Sequence, residues 1–425
     1  MTDNPFGFNL PGDGSDDRKG PGSGDPANNP TGGWPQSGMP DDIAGKIPLF
    51  AELQKLMSWQ GGPVNWDLAR QTAISAIAGS QRDFRAEERT VIVEALRLAD
   101  MWLDPATELP SGVTSAEAWS RVEWVEKTLP VWSTLCDPVA SRVVSAMGSA
   151  LPAEAQAQAG PLMGVMSSMG GMMFGAQVGQ ALAQLAGEVL SSTDVGLPLG
   201  PAGVAVLLPE NVKEFGAGLE RPDEEVRLFL ALREVAHQRL FGHVPWLRQR
   251  LLDAVDTYAR GITVDTGKIE QAMTQIDPAN PESMQDALSN GMFEPEESPE
   301  QQVALRRLET LLALIEGWVD AVVAAAAAER LPGADALRET LRRRRATGGP
   351  AEQTFATLVG LELRPRRLRD AAALWQALTE HRGVAGRDAV WAHPDMLPTA
   401  DDLDDPEKFA AGGDDGPLSI EDLEQ

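Results

Sequence analysis

A chain of 425 residues with 43% hydrophobic content is long enough to bury a sizeable core and to divide into two or three domains. Its formal net charge of -27 repels polyanions, which argues against nucleic acid or an anionic membrane surface as a partner of the whole molecule. A single cysteine, Cys136, excludes an internal disulfide and reads as a packed thiol.

Residues 1–40 are dominated by Gly, Pro, Asp, Asn and Ser, a composition that cannot bury enough apolar surface to offset the entropy of ordering. They are expected to form a disordered arm. Within it Pro5, Phe6, Gly7 and Phe8 make the one sticky stretch, read either as chance aromatics in a tail or as a short docking peptide. The opening MTDNPFGFNLPGDG has neither a basic n-region nor an apolar h-region, so the chain is expected to be cytoplasmic.

From residue 41 to 400 the apolar period is close to 3.6 nearly everywhere, which predicts a mainly all-α body with at most one small β element. Helix starts are signalled at residues 114–117, ahead of Trp119, and at Ser298-Pro299 with Gln301. Residues 155–187 carry no charge, and Gly160, Gly164, Gly171, Gly175 and Gly179 recur at helical spacing. That length could cross a bilayer, but Gln156, Gln177, Gln180 and Gln184 interrupt it and no cationic flanks are present, so a central helix wrapped by neighbours is expected and no membrane span. Residues 195–199 and 204–208 are the best candidates for extended structure, sufficient for a small hairpin or sheet edge. Residues 401–425 hold many acids against Lys408 and are expected to remain an acidic, disordered tail.

A helix opening near Pro222 and Asp223 runs through VRLFLALREVAHQRLF, with Arg233 and His237 on the stripe of Val226, Leu230, Leu240 and Phe241. An ionisable pair one turn apart on a core-facing surface needs partners, because an unpaired buried charge costs several kcal/mol or more. In the helix after Ser298, Glu316 lies on the stripe of Leu305, Leu308, Leu312, Val319 and Val323, and Asp320 follows one turn later.

Two readings of these residues are open. The zinc-peptidase pattern H-E-x-x-H sets two imidazoles one turn apart, with the glutamate beside them to deprotonate a metal-bound water. Glu234 and His237 match it, while Arg233 stands where the first histidine belongs and cannot ligate zinc. Gly242 could turn the chain and offer His243 as a further ligand. In the alternative, Arg233 replaces the metal electrostatically and joins Glu234, Glu316 or Asp320 in a buried ion network.

Further along, Arg342 to Arg345 and Arg364, Arg366, Arg367 and Arg369 flank residues 347–350. The loop lacks the Lys-Ser/Thr ending of a P-loop, and the clusters read as counterions for the protein's own acidic faces, with a phosphate contact as the alternative. His381 and His393 read as surface or packing residues.

The strings GGMMFGAQVGQALAQLAGEVL, GLPLGP, REVAHQRLFGHVPWL, LIEGWVD and RRRRATGGPAEQTFATLVGLELRPRRLRDAAALW make the chain resemble an actinobacterial zincin-like hydrolase family whose members are labelled zinc-dependent metalloproteases. The resemblance covers residues 43–405. It implies a mainly helical zincin-like body, Glu234 as general base, and zinc held by His237 and Glu316, with Asp320 behind them. Where the metal is lost, it implies a scaffold that binds a protein or peptide partner.

Overall fold

The computed structural model describes residues 62–79, 84–149, 160–260, 298–346 and 367–412. The arm at 1–40, the Pro5–Phe8 stretch, residues 347–350, Arg364 and Arg366 lie outside them.

Helix α1 (Trp66–Ala78) is capped by Asn65, whose side chain accepts from the Leu68 amide at 3.0 Å. It packs against α4 (Gly160–Glu188), and α2 (Ala86–Leu103) and α3 (Arg121–Ser149) lie between them in the chain. The glycine spacing of α4 has a structural cause. A β-carbon on Gly175 would lie 2.5 Å from the Asn65 carbonyl oxygen, and one on Gly179 would lie 2.5 Å from that of Ala69. These small residues let two helices touch backbone to backbone inside the protein. Val178, Leu182, Leu185 and Ala186 of the same helix are buried.

Two short strands, β1 (Ser115–Ala118) and β2 (Val204–Leu207), pair in parallel, with Ser115 opposite Val204 and Ala118 opposite Leu207. The expected β element at 204–208 is therefore present, but its partner is distant in sequence. That partner replaces the helix start expected at residues 114–117. The amides of Thr114 and Ser115 donate to the Gly203 carbonyl at 2.8 and 3.1 Å, and Gly203 turns there with φ of 74°. The working capping box is one step later: Ser120 Oγ accepts from the Glu123 amide at 3.1 Å, and the Glu123 carboxylate accepts from the Ser120 amide at 2.7 Å. The start expected at Ser298 is found as read, with Ser298 and Gln301 exchanging hydrogen bonds.

After α5 (Pro209–Gly216) comes α6 (Asp223–His243), which is buried without interruption from Leu228 to Leu240. It contacts α2, β2, α5 and α8 (Pro299–Ala327), so it is a central helix with core on every side rather than a helix with one apolar stripe. Consequently its polar residues Arg233, Glu234, His237, Gln238 and Arg239 are buried too, and each requires a partner. Helix α8 is long and apolar enough to cross a membrane by length and composition, yet 78% of its most apolar window is buried within the protein, as for a core helix.

Beyond α7 (Leu247–Arg260), α8 is followed by α9 (Ala334–Ala346) and α10 (Leu368–Ala389). Residues 401–412 correct the expectation of a solvated tail beginning at Asp401. Asp405 caps α11 (Pro406–Ala411), Leu403 and Ala410 are buried, and Arg382 Nε donates to the Ala410 carbonyl at 2.8 Å. Two apolar side chains and an arginine clamp are enough to fasten an acidic stretch to α10. Residues 413–425 lie outside the described residues.

Replacing Gly179 with Ala is expected to destabilise by about 1–3 kcal/mol through backbone overlap with α1. Gly187→Ala, in the same helix with no atom within 4 Å of the added carbon, should be neutral or stabilising by up to about 1 kcal/mol. Denaturant midpoints of the two variants would decide the matter, and equal values would rule out the close α1–α4 contact.

Candidate functional site

Packing of α6 on α8 brings together residues 83 positions apart in sequence. Arg233 Nη2 donates to Glu316 Oε2 at 2.5 Å, and His237 Nε2 lies 3.1 Å from Glu316 Oε1. The second histidine nitrogen, Nδ1, lies 2.8 Å from the Arg233 carbonyl oxygen. Both partners of the imidazole are oxygen atoms, and the tautomer decides which ring nitrogen donates. Glu316 and His237 are 3% and 2% exposed, so no bulk water screens them.

A third cation, supplied by α9, reaches the same carboxylate: Arg345 Nη1 pairs with Glu316 Oε2. Arg345 also donates to the Asp194 carbonyl at 2.6 Å, and Arg344 Nη1 stands 3.6 Å from the Asp194 carboxylate. The backbone approaches closely here. A β-carbon on Gly196, where φ is 79°, would meet Glu316 Oε1 at 3.4 Å. One turn along α8, Asp320 accepts from Arg338 Nε at 2.8 Å and from Arg342 Nη2 at 2.6 Å. Positions 338, 342 and 345 are three and four residues apart, so one face of α9 delivers all three guanidiniums.

Burial alone would raise the Glu316 carboxyl above its ordinary range. The fields of Arg345, His237 and Arg233, with the histidine hydrogen bond, outweigh it and hold Glu316 well below. Arg233 is displaced downward chiefly by burial, and the neighbouring Arg345 adds to this while Glu316 opposes it.

Glu234 is elsewhere engaged. Its carboxylate accepts from Ser192 Oγ at 2.7 Å, Thr193 Oγ1 at 2.6 Å, the Val206 amide at 3.1 Å and Gln238 Nε2 at 3.0 Å. It ties α6 to β2 and to the loop at 191–193, and makes no hydrogen bond to Arg233, His237 or Glu316. His243 does not join the site either. Helix α6 continues unbroken through Gly242, so a residue six positions on is rotated by about 120° from His237. His243 is exposed, with Nε2 3.2 Å from the Ser111 carbonyl oxygen. Asp320 faces α9 arginines rather than Arg233.

Sequence reasoning missed Arg345 as a site residue, along with Ser192, Thr193 and Asp194. A signal for Arg345 was present in the spacing of Arg338, Arg342 and Arg345. The hydroxyls at 192–193 had none, because their role depends on a loop brought alongside α6. His381 and His393 are surface residues as expected, His381 lying 2.9 Å from Glu407 and His393 accepting from the Asp395 amide. Cys136 is buried, and burial pushes its thiol up.

A catalytic zinc takes three protein ligands and keeps a position open for water. Among the described residues no three His, Cys, Asp or Glu side chains converge on one point. Only His237 and Glu316 meet, and two guanidiniums cover one of the carboxylate oxygens. The donor set does not fit the metal.

A family model described as a zincin-like metallopeptidase matches residues 64–410. No curated protein matches the sequence. Among solved structures, the chain is similar to a candidate hydrolase with a novel fold from Chloroflexus aurantiacus, with a TM-score of 0.57 and 22% identity over 83% of this chain and 100% of that one. At that identity the likeness is one of fold.

Removing one partner of a buried ion cluster strands the others, so Arg233→Ala is expected to cost about 3–5 kcal/mol in chemical denaturation. The pH dependence has a defined sign. Glu316 is depressed in the folded state, so its contribution is fully present above the unfolded value of about 4.3 and disappears as pH falls through the folded value below it. Glu316→Gln should therefore be much less stable than the parent at pH 7, with the gap closing in acid. A gap independent of pH would mean that Glu316 carries no buried charge.

Proposed function

Because the chain belongs to the zincin-like metallopeptidase family, we propose that it is a member in which guanidinium groups take the place of the metal, leaving a non-catalytic fold that holds a protein or peptide partner. The observation that carries this reading is the contact of Arg233 Nη2 with Glu316 Oε2 at 2.5 Å. A carboxylate surrounded by two guanidiniums and an imidazole has its charge already balanced, and two fixed positive groups beside it repel a divalent cation. The engagement of Glu234 supports the same reading. A general base must reach the water it deprotonates, whereas this carboxylate is satisfied by four donors from the 191–193 loop, β2 and its own helix.

One observation favours the zinc hydrolase reading: His237 and Glu316 do meet across α6 and α8, the two elements from which the family resemblance draws its ligands. Zinc is therefore the right ion with which to test the site. The purified chain, dialysed and examined by elemental analysis, is expected to hold well under one zinc per molecule. Arg233→His alone should recover little affinity, since Arg345 still occupies Glu316, and Arg233→His combined with Arg345→Gln should bind zinc more tightly than either single variant. Stoichiometric zinc in the unmodified chain, released by His237→Ala, would overturn the proposal in favour of the hydrolase.

A further inference from the structure

One turn along α6 and α8 from the Glu316 cluster lies a cavity of about 220 Å³. Phe229, Val323 and Leu331 give it an apolar wall, and its space exists because Ala324, Ala328 and Ala334 present only methyl groups there. The volume is below the usual size of drug-sized ligand sites and suits a small molecule.

Three charged groups line the cavity: Asp320, whose carboxylate already holds Arg338 and Arg342, and Arg338 and Asp335, which keep a donor and acceptors that no described residue takes. Arg338 spends Nε and Nη2 on Asp320, while its Nη1 makes no hydrogen bond to a described residue. Asp335, one turn earlier in α9 and exposed, acts on Arg338 through its field but makes no hydrogen bond or close ion pair with a described residue. A carboxylate and a guanidinium that flank one small apolar hollow match a zwitterion carrying a hydrocarbon group.

We infer that this cavity binds a free aliphatic α-amino acid of leucine size, its ammonium on Asp335, its carboxylate on Arg338 Nη1 and its branched side chain against Phe229, Val323 and Leu331. The assignment goes beyond the proposed function and does not depend on the absence of zinc, because none of these residues is a candidate metal ligand.

Calorimetric titration of the full chain with L-leucine tests it. Saturable one-to-one binding is expected. L-leucinamide lacks the carboxylate and 4-methylpentanoate lacks the ammonium, so each should bind at least about tenfold more weakly, the worth of one charge-assisted hydrogen bond. Asp335→Asn should weaken L-leucine by about tenfold. Ala328→Phe should abolish binding by filling the cavity. Both substituted positions are exposed, so unchanged thermal midpoints would certify the fold of the variants. Absence of L-leucine binding at millimolar concentration would overturn the inference. So would equal binding of leucinamide, or indifference to both substitutions.

Discussion

A carboxylate in the middle of a core helix sets the terms for the surrounding structure. Glu316 lies on α8 among Leu312, Ile315, Val319 and Val323, where an uncompensated charge would cost several kcal/mol. Its ionised state is retained because α6 brings Arg233 and His237 and α9 brings Arg345. Each contact fixes the rotation and register of its helix, so a single charge helps orient three helices. The loop at 190–197 is drawn in by the same requirement. Asp194 meets the arginines that Glu316 leaves with donors to spare, and Gly196 admits the backbone where a side chain would crowd the carboxylate.

A metal ion and a pair of guanidiniums solve the same electrostatic problem with opposite hydrogen-bond logic. A metal takes lone pairs, so it needs a neutral imidazole nitrogen and leaves a site for water. A guanidinium offers protons and can be satisfied only by acceptors. Around Glu316 the imidazole nitrogens lie against oxygen atoms on both sides, at 2.8 and 3.1 Å, with two guanidiniums beside them. Glu234, with four donors around its carboxylate, serves as a strut between α6 and β2 in this arrangement.

The sequence made the helical body and the meeting of Arg233, His237 and Glu316 across α6 and α8 legible, because each depends on periodicity within one helix and on the cost of burying charge. It also pointed to arginine clusters answering acidic residues, and Arg342 on Asp320 and Arg344 beside Asp194 are that case. Features that depend on contacts between distant segments were not legible. Residues 114–117 carry a capping pattern, but pairing with β2 outcompetes it, and Ser120 with Glu123 takes over the cap. The buried surroundings of Glu234 are written partly in a loop 40 residues upstream, where Ser192 and Thr193 look like ordinary turn residues. His243 failed as a candidate because glycine permits a turn without requiring one, and α6 simply continues.

The fold does not hang on the Glu316 cluster alone. A second buried carboxylate, Asp388 on α10, accepts from Thr107 Oγ1 at 2.6 Å, the Glu108 amide at 2.8 Å, Trp318 Nε1 at 2.8 Å and Arg387 Nε at 2.7 Å. It fastens α10 to α8 and to the segment after α2. On the other side of α6, Arg239 donates to Asp100 and Asp104 at 2.7 and 2.6 Å, fastening α6 to the end of α2. The sites at Glu316, Arg239 and Asp388 have no residue in common, so each helix pair has a charged tie of its own. The packing of α6 against α2 and of α8 against α10 is therefore set independently of what balances Glu316.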